Sequence, residues 1–247
     1  MKNSQPLLSS FVALTGALLL SEEGMGGEAH QLTPIIAEPG EVFLSDDFEE
    51  NYLVKKGHPI FKPGQGTTWE SKDGLLVGTQ STPEYQAKKK AQGNGHLGTA
   101  PRLQFSGSPK DVIIKYSFKI SGGKFTKLLP IIEAGHHLRR IYFGPKGSRI
   151  LVDHEKTTVA ESDFVLELDQ WYHIMVEIKD DEFLVRFQDG PTIYGEDKGV
   201  GAEFENYNIG ITATNLGTIY IDNMTIWESG VEKRDWAKKK ATLSSKQ

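Results

Sequence analysis

The sequence predicts an all-β chain folded as two antiparallel sheets packed face to face, a jelly-roll sandwich. Three observations carry this. Trp171–Gly190 holds two short β-rich runs divided by Asp180-Asp181 and closed by Asp189-Gly190, the pattern of an antiparallel hairpin with tight turns. Asp111–Ile120 alternates cleanly, with Val112, Ile114, Tyr116, Phe118 and Ile120 on one face and Lys115, Ser117 and Lys119 on the other. The same grammar recurs from about Val42 to Trp227, with no alternation of strands and helices.

In chain order, Val42–Phe48 is a short strand ending in acids, and Thr67–Gly78 is a hairpin turning at Asp73-Gly74. Ser81–Asn94 lacks periodicity and is expected to be an exposed loop. Strands are then expected at His96–Phe105, Asp111–Ile120, Phe125–Glu133, His137–Phe143 and Arg149–Asp153, followed by the hairpin, Asn208–Thr214 and Thr218–Trp227. Gly122-Gly123, Pro145 to Gly147 and Leu216-Gly217 mark turns. The only helix of more than two turns is expected in the tail, where Val231–Leu243 is either helical or irregular. Trp171 and Trp227, each in an alternating apolar strand, are expected in the core, and Trp69 beneath the first hairpin.

The 247 residues accommodate a single large sandwich, with a core big enough to need no covalent staples. Cysteine is absent, which excludes disulfides, thiolate metal sites and a cysteine nucleophile. A net charge of −5 with interspersed signs argues against a nucleic-acid partner. The apolar run Phe11–Leu20 follows Lys2, is too short to span a bilayer, and suits a secretory signal. The expected organisation is a signal peptide over 1–29, a linker over 30–41, the sandwich over 42–228 and a polar basic tail over 229–247, in a protein secreted or exported to a bacterial periplasm.

Several pieces occur in a telling order: Leu44-Ser-Asp-Asp-Phe48, Trp69–Gly78, the Val112–Ile120 strand, Gly135-His136, Leu168–Ile178 and Ile219–Trp227. Together they resemble the concanavalin A-like jelly-roll domains of exported planctomycete-type proteins. That group lies near the 3-keto-disaccharide hydrolase, laminin-G-like and family 16 glucanase-like families. The resemblance implies a carbohydrate-facing jelly roll that binds or processes a saccharide, as a glycoside hydrolase or lyase of the 3-keto-disaccharide type or as a binding module. The alternative is a laminin-G-like structural or adhesion domain with an envelope protein as partner. The Glu-x-Asp-x-x-Glu strand of family 16 glucanases is absent; Glu161-Ser-Asp-Phe-Val-Leu-Glu167 has a different register.

The densest polar constellation is Glu133–Tyr142. Alternation places His137, Arg139 and Ile141 on one strand face and Leu138, Arg140 and Tyr142 on the other. Glu133 and His136 are the acid/base candidates, since histidine titrates near neutral pH. His137, Arg139, Arg140 and Tyr142 are candidate sugar contacts, an aromatic ring stacking on the sugar and guanidinium groups pairing with its hydroxyls. His96 and Arg102 form a second set on a neighbouring strand. Asp46, Asp47 and Asp222 would approach one another if the first and last strands pair, as candidate ligands of a structural calcium ion. No Gly-x-Ser-x-Gly elbow and no phosphate-cradling loop occurs.

Overall fold

A computed structural model describes residues 30–54, 58–124, 129–135, 138–154, 156–203 and 207–244, with the backbone alone at 129–131. The chain is an all-β, two-sheet antiparallel sandwich. Its nine-stranded sheet runs β14(Thr192–Glu196), β13(Glu182–Phe187), β12(Trp171–Lys179), β7(Val112–Lys124), β16(Asn215–Glu232), β5(Leu75–Thr79), β4(Thr68–Lys72) and β2(Tyr52–Leu53), with β1(Ala37–Asp46) also paired to β16. The seven-stranded sheet runs β11(Thr157–Ser162), β10(Gly147–Val152), β9(Arg139–Gly144), β8(Leu129–Ala134), β15(Asn208–Thr212), β6(Arg102–Ser106) and β3(Phe61–Pro63).

The alternation seen in the sequence decides which faces meet. Val112, Ile114, Tyr116, Phe118 and Ile120 from β7 pack against Ile132, Ile141, Phe143, Ile150, Ile209 and Ile211 of the other sheet in one continuous core. The first hairpin turns at Asp73 and Gly74, both with positive φ (53° and 73°), the backbone a tight two-residue turn demands. Asp180, φ 50°, does the same between β12 and β13. The bulge at Asp222–Asn223 is where β16 exchanges β5, which pairs with 219–221, for β1, which pairs from Met224 onward.

Several expectations are corrected. Residues 83–91 form α1(Pro83–Ala91), capped by the Thr82 hydroxyl on the Tyr85 N–H, with Pro at the helix start, Glu84 in the first turn and Lys88–Lys90 in the last. No residue of α1 is buried, so it leaves no apolar stripe to read. Strands β2, β3, β11 and β14 are also additional to those expected.

The segments expected as linker and tail belong to the folded body. The chain at 30–36 lies on the outer face of the nine-stranded sheet, where the Glu177 carboxylate accepts the backbone N–H groups of Ile35 (2.9 Å) and Ile36 (2.8 Å). The tail ends in α2(Trp236–Ser244), and Trp236 is buried with Ile36, Ala37, Leu184 and Tyr194 in a second, smaller core. Trp69 is fully buried as expected. Trp171 and Trp227 are only half-buried, because their strand positions face outward, opposite the inward-facing Ile174 and Ile226. Among the described residues no helix is long and apolar enough to cross a membrane.

Candidate functional site

The outer face of the seven-stranded sheet carries a row of residues in register across six strand pairs: Lys62, Gln104, Gly210, Glu133, Arg140, Leu151 and Thr158. Gly210 adds no side chain between Gln104 and Glu133. Arg102, one step along β6 on the same face, reaches across and places its guanidinium 3.2 Å from Glu133 Oε1. Arg140 pairs with the other carboxylate oxygen at 2.8 Å, and its second terminal nitrogen donates to the Tyr142 hydroxyl at 2.5 Å. The result is one polar lattice, Arg102–Glu133–Arg140–Tyr142, on three strands.

Burial divides this lattice in two. The Glu133 and Arg140 side chains are 5% and 3% exposed, whereas Arg102 keeps 15% of its side chain open, next to the half-buried Gln104. A buried guanidinium–carboxylate pair of this kind costs desolvation and is stable only when each partner satisfies the other. Glu133 therefore serves as a buttress between two cations, and Arg102 presents the donors that a ligand can meet.

The Arg102 backbone is held from beneath. Its carbonyl accepts the N–H of Gly64 at 2.8 Å and the indole N–H of Trp69 at 3.1 Å, while its N–H donates to the Thr67 hydroxyl at 3.4 Å. His96 is exposed in the loop before β6 and pairs through Nδ1 with Gln65 at 3.2 Å, so it borders the Gly64–Gly66 turn rather than the lattice itself.

Other candidates fall elsewhere. Arg139 is a correction: its position faces the interior, where it is 1% exposed and donates to the carbonyls of Ala134 (3.1 Å), Lys110 (2.9 Å) and Val200 (3.4 Å). Burial pulls its guanidinium down to about 10, and it closes one end of the core instead of meeting a sugar. Tyr142 is also corrected as a stacking platform, being 4% exposed with its hydroxyl taken by Arg140. His136 and His137 lie outside the described residues.

The carboxylates of the calcium candidate set do not converge. Asp46 accepts the Phe48 N–H and the Tyr52 hydroxyl, both at 2.8 Å, and Asp222 accepts the Asn223 side-chain amide at 2.8 Å. Burial raises the Asp222 carboxyl above its usual range. Among the described residues no group of three His, Asp or Glu side chains is placed to hold a metal ion.

Sequence reasoning missed Gln104, Gly210 and the pairing of Arg102 with Glu133. Alternation along each strand put them on one face, but the strand order β9-β8-β15-β6 that joins them is not written in any local segment. It also missed a polar row on the opposite sheet, where Ser117 Oγ lies 2.7 Å from His173 Nδ1 and Ser117 is flanked by Asp222 in register. Serine stands in the middle of that row, between imidazole and carboxylate, which is not the order of a nucleophile relay.

The two packed antiparallel sheets define a jelly-roll sandwich. Among solved structures, the chain is similar to SCLam, a non-specific endo-β-1,3(4)-glucanase from family GH16, with a TM-score of 0.54 and 10% identity over 80% of this chain and 97% of that one. It is also similar to a protein of unknown function with a galectin-like fold from Bacillus subtilis, with a TM-score of 0.53 and 9% identity over 79% and 99% of the two chains. A third likeness is to the binding domain of botulinum neurotoxin DC in complex with SialylT, with a TM-score of 0.50 and 9% identity, covering 83% of this chain and 52% of that one. At such identities the likeness is one of fold. No protein-family model and no curated protein sequence matches the chain.

Proposed function

We propose that this protein is a carbohydrate-binding jelly roll whose outer seven-stranded face takes a saccharide, with Arg102 and Gln104 as the ligand-facing donors. The observation that carries this reading is the Arg102 side chain, whose guanidinium Glu133 holds at 3.2 Å and of which 15% stays open to solvent. A planar cation held in this way gives two parallel hydrogen bonds to vicinal hydroxyls or a sugar carboxylate with little ordering cost. The fold supports the same reading, since one similar structure is a glucanase and another was determined in complex with SialylT.

Binding is favoured over turnover because Glu133, the acid/base candidate in the described region, is buried and tied to two guanidinium groups. A hydrolase of the 3-keto-disaccharide type would need Glu133 released and His136 beside it.

The test is a glycan array on the full chain, followed by calorimetry on its best ligand with Arg102→Ala and Gln104→Ala. Each variant is expected to weaken binding at least tenfold while melting within a few degrees of the parent. Unchanged affinity in both variants overturns the proposal. Release of a 3-keto sugar from an oxidised disaccharide moves the reading to hydrolysis.

A further inference from the structure

A cleft opens at one end of the sandwich, between the connection from β11 to β12 and the turn from β13 to β14, with a volume of about 470 Å³. No residue on its wall belongs to the lattice on the seven-stranded face. Its floor is aromatic: the half-buried rings of Phe164 and Tyr172, 6.1 Å apart between centroids, lie over the buried Phe187, 4.7 and 5.9 Å from them. These rings are locked by one another and by Phe118, 5.6 Å from Tyr172, so the floor is preorganised.

The rim is polar and flexible in its chemistry. Glu167, Gln170 and Asp189 are exposed around the opening, and Trp171 forms the wall toward the outer face of the nine-stranded sheet. The Lys119 ammonium sits 5.3 Å from the Trp171 ring centre and 5.0 Å from that of Tyr220, which fixes the indole in place. Among the described residues no lysine or arginine lines the cleft, while the Glu167 and Asp189 carboxylates and the His173 imidazole do.

This set of groups selects a ligand class. A cleft of this size takes a ligand of one or two rings. An aromatic floor meets the apolar C–H face of a pyranose, and carboxylate and amide groups on the rim accept from and donate to its hydroxyls. An anionic sugar would meet Glu167 and Asp189 without a counter-cation. We infer that the cleft bounded by Phe164, Tyr172 and Phe187 is a binding site for a neutral saccharide, separate from the Arg102 face, so that the chain carries two saccharide sites.

The experiment is saturation-transfer NMR on the full chain with maltose, cellobiose and lactose, irradiating aromatic protons. The proposal expects transfer to ring C–H protons of at least one disaccharide, retained in Arg102→Ala. It expects affinity to fall at least tenfold in the double variant Glu167→Gln, Gln170→Ala. Both rim side chains are exposed, and an unchanged melting temperature confirms that the variant folds. Absence of transfer to all three disaccharides overturns the inference. So does transfer that survives the rim variant but disappears in Arg102→Ala, which would place the ligand on the other face.

Discussion

Glu133 and Arg140 face each other across β8 and β9 at 2.8 Å, both almost wholly buried on the outer face of a sheet. Two strands away, Arg102 leans on the same carboxylate. One acid thus sets the position of two arginines, one buried and one partly open to solvent. Removing it and removing either arginine are therefore different perturbations.

Glu133→Ala strips the counter-ion from the buried Arg140, a change that costs about 3–5 kcal/mol in comparable pairs. In a chain of this size the melting midpoint, followed by circular dichroism, is expected to fall by roughly 10 °C. The double variant Glu133→Leu, Arg140→Met removes both charges together and is expected to recover most of that loss. If the double variant is as unstable as the single one, the pair is not what holds this face.

The sandwich was legible because its signals are local. Positive φ at Asp73, Gly74 and Asp180 coincides with turns readable as Asp-Gly and Asp-Asp, and the inward face of β7 was readable residue by residue. What was hidden depends on partners far along the chain. Arg139 and Arg140 are neighbours with opposite fates, and alternation separated them without saying which face was interior. The chain at 30–36 looked like a linker because its binding groups are backbone N–H groups, which every sequence has; the informative residue was Glu177, an acid inside an apolar strand. Helix α1 was hidden for the opposite reason, since it buries nothing.

The strap at 30–36 makes stability depend on pH. His30 hydrogen-bonds the Ile174 carbonyl at 2.9 Å, and burial, together with nearby Lys115 and His173, lowers its pKa from 6.5 to about 4. A lowered folded pKa means that the unfolded chain takes the proton first. The contribution of His30 is therefore complete above pH 6.5 and is lost as the pH falls toward 4. After discounting for partial solvent exposure, the loss is on the order of 1–2 kcal/mol. Burial raises the Glu177 carboxyl despite its hydrogen bonds from Ile35 and Ile36 and its pairing with Arg186. Its slope is opposite: its contribution is present at low pH and is lost as pH rises through the folded pKa. Urea unfolding at pH 4.5 and pH 7 should show the parent weaker at the lower pH, and His30→Phe with that difference reduced or reversed. An equal difference in the variant excludes His30 as its source.

Trp236 ties the segment at Ile36 and Ala37 to the tail. Its indole N–H donates to Glu182 at 2.8 Å, its ring lies 5.7 Å from that of Tyr194, and the Lys233 N–H reaches the Ile36 carbonyl at 2.8 Å. Trp236→Ala empties the centre of the smaller core and is expected to cost about 3–5 kcal/mol there. Because this core is a satellite of the main one, the loss should open it locally before the sandwich unfolds. Hydrogen exchange is the direct measure: amides at Ile36 and Lys233 should exchange faster in the variant, while those of β7 keep their protection. Uniform acceleration across β7 would show that the two cores unfold as one.

Gly78 and Gly210 offer a paired test of how the core supports Arg102. A Cβ on Gly78 would come within 2.6 Å of the Trp69 ring, which is wholly buried and donates its indole N–H to the Thr67 hydroxyl (3.2 Å) and the Arg102 carbonyl (3.1 Å). The ring cannot retreat without breaking those bonds, so Gly78→Ala is expected to cost about 1–3 kcal/mol by overpacking. A Cβ on Gly210 meets nothing nearer than 3.6 Å, and Gly210→Ala should be close to neutral for stability. The Trp69 signal in near-ultraviolet dichroism should change in the first variant and persist in the second. Saccharide affinity at the Arg102 face should fall with Gly78→Ala, since the carbonyl that anchors Arg102 moves with the indole. If affinity is untouched while the Trp69 signal changes, Arg102 is positioned by Glu133 alone, and the support from the core beneath it is dispensable.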